Sequence, residues 1–188
     1  MIWALPTSVE LSSGSYAVHA DFRDILEIIR QLEDPEGTQE ERLYIALRLF
    51  YEDFFSIPKE ELERAAVEMM TFINCGEPVD PDEPPAPRLL DWEQDGPMIV
   101  SDVNKVAGCE IRSLEFLHWW SFISCFRGIG EGPLATVVAI RDKLRRGKKL
   151  EGWEKEYYRK NKAQIALRPR YTAEERAQRE RLQGLLAE

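Results

Sequence analysis

Beyond its first twenty residues, this chain spaces its large apolar side chains three and four positions apart, a period that admits little except packed amphipathic helices. Only residues 4–20 alternate with period two. Around a turn at Ser12-Ser13-Gly14, Tyr16 and Val18 take one face and Ala17 and His19 the other, the pattern of a half-buried hairpin. A lone two-stranded ribbon is marginal in water, so it must lie on helices or pair with another edge. From Asp21, the expected N-cap, Phe22, Ile25, Leu26, Ile29 and Leu32 predict a helix ending near Asp34-Pro35. Thr38 and Glu41 form a capping box ahead of Leu43, Ala46, Leu47, Phe50 and Phe54. A third helix over 59–74 places Leu62, Ala66, Met69 and Ile73 on one face, with Gly76 able to close it in the left-handed region.

Residues 76–90 hold five of the eleven prolines and four acids, which forbids helix and predicts an extended, solvated linker. Helical spacing then returns. Asp95-Gly96-Pro97 starts a helix with Ile99, Val103 and Val106 that runs to Gly108. Ser113 is the expected cap of the next, which carries Leu114, Leu117, Trp120 and Ile123 and is apolar nearly all round until Gly128. Gly132-Pro133 opens another, and residues 153–167 and 172–186 read as charged helix with a Thr172–Glu175 box. The expected fold is mainly α, an amino-terminal β-hairpin packed on a multi-helix bundle. Its parts are a hairpin plus three helices (1–75), a linker (76–90), an apolar helical core unit (91–145) and a charged, net basic helical tail (146–188).

Charge is polarised along the chain. Residues 1–100 carry seven Lys and Arg against 22 Asp and Glu, a net −15, while 101–188 carry 18 against 12, a net +6. The acidic half would repel phosphate, so nucleic acid is not an expected partner. The basic run over 141–188 is punctuated by acids, which predicts pairs such as Glu151 with Lys155 and Glu156 with Lys160. The acidic first hundred residues offer further counter-charge, within one subunit or head to tail between subunits. No run of about 20 apolar residues is present, so no membrane span is expected. The amino terminus shows neither a basic leader nor a long apolar stretch, and residence inside the cell is the expectation. Cys75, Cys109 and Cys125 are too widely spaced for a metal-binding pair and are expected to be reduced, buried thiols.

Motifs for chemistry are missing from the sequence. No Gly-rich phosphate loop, nucleophile elbow or His-Glu-x-x-His pair occurs, so the chain is read as non-enzymatic, with no catalytic residue, metal or cofactor. Asp91, Glu93 and Asp95 are expected to serve a helix dipole. His118, set among Leu117, Trp119 and Trp120, reads as a core or interface histidine. Neighbouring helix residues point about 100° apart. A single core therefore cannot easily take both Trp rings, and one should meet a second layer of this chain or a partner.

The order of these features resembles a siphophage family, the gene-product-fifteen family of tail assembly chaperones. The likeness rests on Leu5-Pro-Thr-Ser-Val-Glu-Leu11 with its Gly turn, Tyr16-x-Val-x-x-Asp-Phe-Arg23, Asp91-Trp-Glu-Gln-Asp95, Leu117-His-Trp-Trp-x-Phe122 and Ile140-Arg141, and covers about residues 3–167. One departure is Val106-Ala-Gly-Cys-Glu-Ile111, where the family tends to be more aromatic and to run into a Tyr-Gly-Ile-Asp-like turn. The resemblance implies a phage or prophage protein made in the host cell cytoplasm during infection and scarce in the finished particle. Its partners would be the tape-measure protein, the major tail protein or both, with no nucleic acid and no membrane, and homo-oligomerisation left open. Phe116, His118, Trp119, Trp120 and Ile123 are the candidate partner-binding residues. A structural virion or tail-completion protein is the alternative, and a helical nucleic-acid-associated regulatory protein a more distant one.

Overall fold

A computed structural model describes residues 4–78 and 86–186; most of the expected linker, 79–85, lies outside the described residues. The first elements are strands β1 (Ser8–Leu11) and β2 (Gly14–Ala17) and helices α1 (Phe22–Leu32), α2 (Gln39–Phe50) and α3 (Leu62–Ile73). Then come α4 (Gly96–Ala107), α5 (Trp119–Arg127), α6 (Pro133–Arg145), α7 (Gly152–Lys160), the single turn α8 (Lys162–Ile165) and α9 (Ala173–Leu186). The fold is mainly helical with one antiparallel hairpin, as the spacing predicts. Two compact units divide the chain: Pro6–Ile73 with Pro169–Glu188, and Met1–Leu5 with Asn74–Arg168. Sequence period sets a charged tail apart from residue 146, whereas the structure gives residues up to Arg168 to one unit and the remainder to the other. Among the described residues no helix is long and apolar enough to cross a membrane.

In the amino-terminal unit the hairpin does not stand alone. Its register pairs Ser8 with Ala17 and Leu11 with Gly14, and Val9 and Leu11 turn inward. The chain leaving α2 then covers the open edge: His19 N donates to Phe50 O at 2.9 Å, Glu52 N donates to Ala17 O at 3.1 Å, and Val18 bridges Tyr51. Ser13 Oγ donates to Glu61 Oε2 at 2.6 Å and Arg64 Nη1 to Ser12 Oγ at 3.0 Å, which fixes the hairpin turn beside the start of α3. Asp21 caps α1 by accepting Arg23 N at 2.9 Å. In the Thr38–Glu41 box, Glu41 N donates to Thr38 Oγ1 at 3.2 Å and Thr38 N donates to Glu41 Oε2 at 2.7 Å, and the hydrogen bond from the Thr38 backbone holds the Glu41 carboxyl below its ordinary range. The inner stripe of α1 runs through Phe22, Ile25 and Ile28; Leu26, Ile29 and Leu32 are only half-buried. On α3 the buried set is Ala65, Ala66, Met69 and Phe72, so Leu62 and Ile73 stand at its margins. Phe50 meets Tyr51 and Phe72 edge-on at 4.9 and 5.2 Å between centroids. Tyr51 donates its buried hydroxyl to Ala65 O at 2.9 Å, and burial pushes the phenol above its usual range. Arg170 pairs with Glu33 at 2.7 Å and Arg176 with Glu36 at 3.2 Å, so basic residues of the carboxyl-terminal segment meet acids of this unit within the chain.

The second unit is built on α4, α5 and α6. Gly108, at φ 69°, ends α4 in the left-handed region. Ser113 does not cap a helix. Ile111–Ser113 is a 3-10 turn with Ile111 fully buried, and the Ser113 hydroxyl donates backward to Glu110 O at 2.7 Å, so it is not turned toward amides ahead of it. Helix α5 accordingly starts at Trp119. The start of α6 is capped from outside: buried Asp102, on α4, accepts hydrogen bonds from Leu134 N at 3.2 Å and from Lys105 Nζ at 2.7 Å. On α7, Glu156 pairs with Lys160 at 2.8 Å as the spacing predicts, whereas Glu151 faces Lys143 at 3.8 Å. All three cysteines are free, but they are not buried: Cys109 is exposed, and Cys75 and Cys125 are half-buried.

Gly132 is a direct consequence of that cap. A Cβ there would lie 2.7 Å from Asp102 Oδ2, whereas one at Gly130 would meet nothing within 4 Å. Gly132→Ala should therefore push the carboxylate off Leu134 and cost about 1–3 kcal/mol, while Gly130→Ala stays within about 0.5 kcal/mol. Urea unfolding of the two variants beside the parent checks this, and equal stabilities would refute it.

Candidate functional site

The segments that carry the sequence resemblance in the second half meet in space. Arg141, 6% exposed, reaches Asp95, which is fully buried, with Nη1 to Oδ2 at 2.5 Å and Nη2 to Oδ1 at 2.9 Å. Its other three N–H groups go to main chain: Nε to Ile165 O at 2.8 Å, Nη1 to Leu89 O at 3.0 Å and Nη2 to Gln164 O at 2.9 Å. All five guanidinium donors are thus used. Asp95 Oδ2 also accepts Asp91 N at 3.0 Å, and Asp91 accepts Gln94 N at 2.7 Å and pairs with Arg88. Asp95 flanks the start of α4 but makes no side-chain bond to its first amides; its carboxylate oxygens are taken by Arg141 and Asp91 N.

The Leu-His-Trp-Trp segment lies at the start of α5. His118, buried and extended, accepts Trp120 N on Nδ1 at 3.0 Å, so the imidazole does the work usually given to Ser or Asp at an N-cap. An accepting nitrogen carries no hydrogen, which fixes the tautomer through this bond. Trp119 is 2% exposed; it stacks on Phe122 at 5.6 Å and meets Trp92 edge-on at 6.1 Å. Ile123 is buried too. Trp120, about 100° around the helix, is half-buried and packs on Gly76, where a Cβ would come within 3.1 Å of the ring. Gly76 sits at φ 87°, after Cys75 at φ 58°, so this turn needs both the backbone freedom and the bare face of glycine.

The structure thus assigns His118, Trp119 and Ile123 to the interior of the unit, and brings only Phe116, 56% exposed, and part of Trp120 to the surface. This arrangement offers an apolar edge held by a buried support. Among the described residues no group of three or more His, Cys, Asp or Glu is placed to hold a metal ion. Sequence reasoning missed a second apolar surface. Tyr44, Ile45 and Leu49 on α2, and Phe55 beyond it, are exposed. The signal was available: seven of the eight residues 43–50 are apolar, more than one inward stripe can use.

Two expectations follow from these contacts. Arg141→Lys offers three donors to five acceptors, leaves buried oxygens unpaired and should lower unfolding stability by at least about 2 kcal/mol; chemical denaturation at parental stability would refute it. His118→Asn keeps an acceptor at the cap and should remain more stable than His118→Ala by about 1 kcal/mol, measured as a difference in thermal midpoint.

No curated protein and no solved structure matches this chain. A family model does, over residues 1–167, a span that includes the hairpin, Asp95, the His118–Trp120 segment and Arg141. The chain belongs to the family described as Bacteriophage Gp15 protein.

Proposed function

We propose that this phage structural, tail-related protein is a non-enzymatic tail assembly chaperone, acting in the host cell cytoplasm on the tape-measure protein, the major tail protein or both. The observation that carries the reading is the family match over residues 1–167, taken with apolar side chains left on the outer faces of a helical chain rich in charge. A tape measure is a long, largely helical chain with apolar stripes. A helper that covers them needs apolar faces of its own on a well-solvated body. Phe116 and the outer part of Trp120 supply such an edge, and buried Trp119, Ile123 and His118 hold it in place.

The reading as a non-enzyme is supported by what the buried polar groups do. Asp95 pairs with Arg141, Asp102 caps α6, His118 caps α5 and Glu154 meets Lys143, so each already has a structural task. The alternative of a tail-completion protein would require it to stay in the finished particle.

Co-expression with the tape-measure protein of the same phage tests the proposal. Soluble recovery of the tape measure should rise several-fold with this chain present, and Trp120→Ala or Phe116→Ala should reduce that gain while leaving the chain folded by circular dichroism. No gain and no co-purifying complex would defeat the proposal, and stoichiometric presence in purified tails would favour tail completion.

A further inference from the structure

Besides the Phe116 edge, each unit leaves large apolar side chains exposed among the described residues, and the charges flanking these two sets are opposite in sign. On α2, Tyr44, Ile45 and Leu49 are exposed, and Phe55 is 75% exposed. Arg48 stands 5.9 Å from the Tyr44 centroid and 5.3 Å from that of Phe55, which joins the two rings into one surface. Exposed Glu40, one turn before Tyr44, and exposed Glu52 and Asp53, between α2 and Phe55, flank it. None of the three acids has an ion-pair partner among the described residues. In the other unit, Lys143 Nζ bonds Glu154 Oε1 at 2.6 Å and holds the end of α6 to the start of α7. At that junction Leu144 is exposed, Trp153 is 59% exposed, and Lys148 and Lys149 stand exposed on the connecting loop.

We propose that these faces are the two halves of one contact between copies of this chain: Phe55 and its neighbours of one copy dock on Trp153 and Leu144 of the next, with Glu52 and Asp53 opposite Lys148 and Lys149. Charge selects the occupant. Either face set against itself would bring like charges together, so a two-fold dimer through one face is disfavoured, whereas a head-to-tail contact brings acids to bases. The aromatic anchors supply most of the affinity, and the rim charges, screened by salt, set the pairing. Each association leaves one face of each kind open, so growth does not stop at two copies unless a ring closes. The inference does not depend on the tape-measure reading.

Sedimentation velocity of the full chain, over a concentration series at low and high salt, tests it. The expected result is self-association that strengthens with concentration and weakens with salt. Phe55→Asp and Trp153→Asp, both at exposed positions, should each weaken it by about tenfold or more. An equimolar mixture of those two variants should form dimers and nothing larger, because each keeps the one face the other lacks. Lys148→Glu with Lys149→Glu should weaken association, and adding Glu52→Lys with Asp53→Lys to the same chain should restore it. Circular dichroism confirms that each variant is folded, and the two aromatic variants report independently. A monomer at every salt and concentration, association indifferent to both aspartate substitutions, or a variant mixture that stays monomeric would overturn the proposal.

Discussion

Arg141 meets Asp95 across 46 residues of sequence, and the unit from Asn74 to Arg168 is organised around that meeting. The guanidinium draws together α6, the residues before α4 and the carbonyls of Gln164 and Ile165, so one side chain fixes three stretches that have no local reason to be neighbours. A buried ion pair is weak evidence of net stability, since desolvation offsets much of its attraction. What it supplies here is specification. Removing either partner strands a buried charge, and only a planar fork with five donors satisfies this set of oxygens. Both ends of the pair fall inside the matched span, which stops at residue 167, two positions after the last carbonyl that Arg141 holds.

Helix starts are the second constraint, and each is met with different chemistry. Asp21 and Thr38 cap locally, His118 does so through an imidazole, and α6 borrows Asp102 from α4. That last arrangement explains a glycine for which backbone angles give no reason. Gly132 is extended, at φ −179°, and is needed for space. Gly76 is bare for both reasons, since its turn is left-handed and its face is taken by Trp120. Caps borrowed from another helix couple neighbouring elements, so a single substitution at 132 disturbs α4 and α6 together.

What the sequence made legible follows the same division. The caps at Asp21, Thr38 and Thr172 are short-range bonds, and spacing finds them. Ser113 looked equally able from spacing alone, yet its hydroxyl is turned to Glu110 O because buried Ile111 holds the preceding turn. Asp95 stood where an acid serves a helix dipole, and nothing local reveals a partner 46 positions away. The α1 stripe was read one position off along part of its length, since Ile28 and Ile29 are alike in sequence and only packing decides which turns inward. Of the candidate site, the aromatic doublet was legible as a pair that one core cannot easily hold, but which ring goes inside is a fact of tertiary structure.

That split bears on how such a chain can display apolar surface without collapsing on itself. A lone exposed ring on a loose loop would lose much of any binding energy in ordering itself. Here the exposed groups are fixed by their own neighbours. Trp120 sits beside fully packed Trp119 on a helix whose first turn His118 closes, and Phe55 is held under Arg48 and edge-on to buried Phe54 at 5.4 Å. The surrounding charge is arranged to match. Much of the basic carboxyl-terminal stretch is committed within the chain, through Arg170 to Glu33, Arg176 to Glu36 and Lys143 to Glu154. The net excess of acid then keeps the surface solvated while the rings remain presented. Surfaces held in this way favour partners that bring an apolar stripe of their own, because a polar partner would desolvate its groups against rings that offer few hydrogen bonds in return.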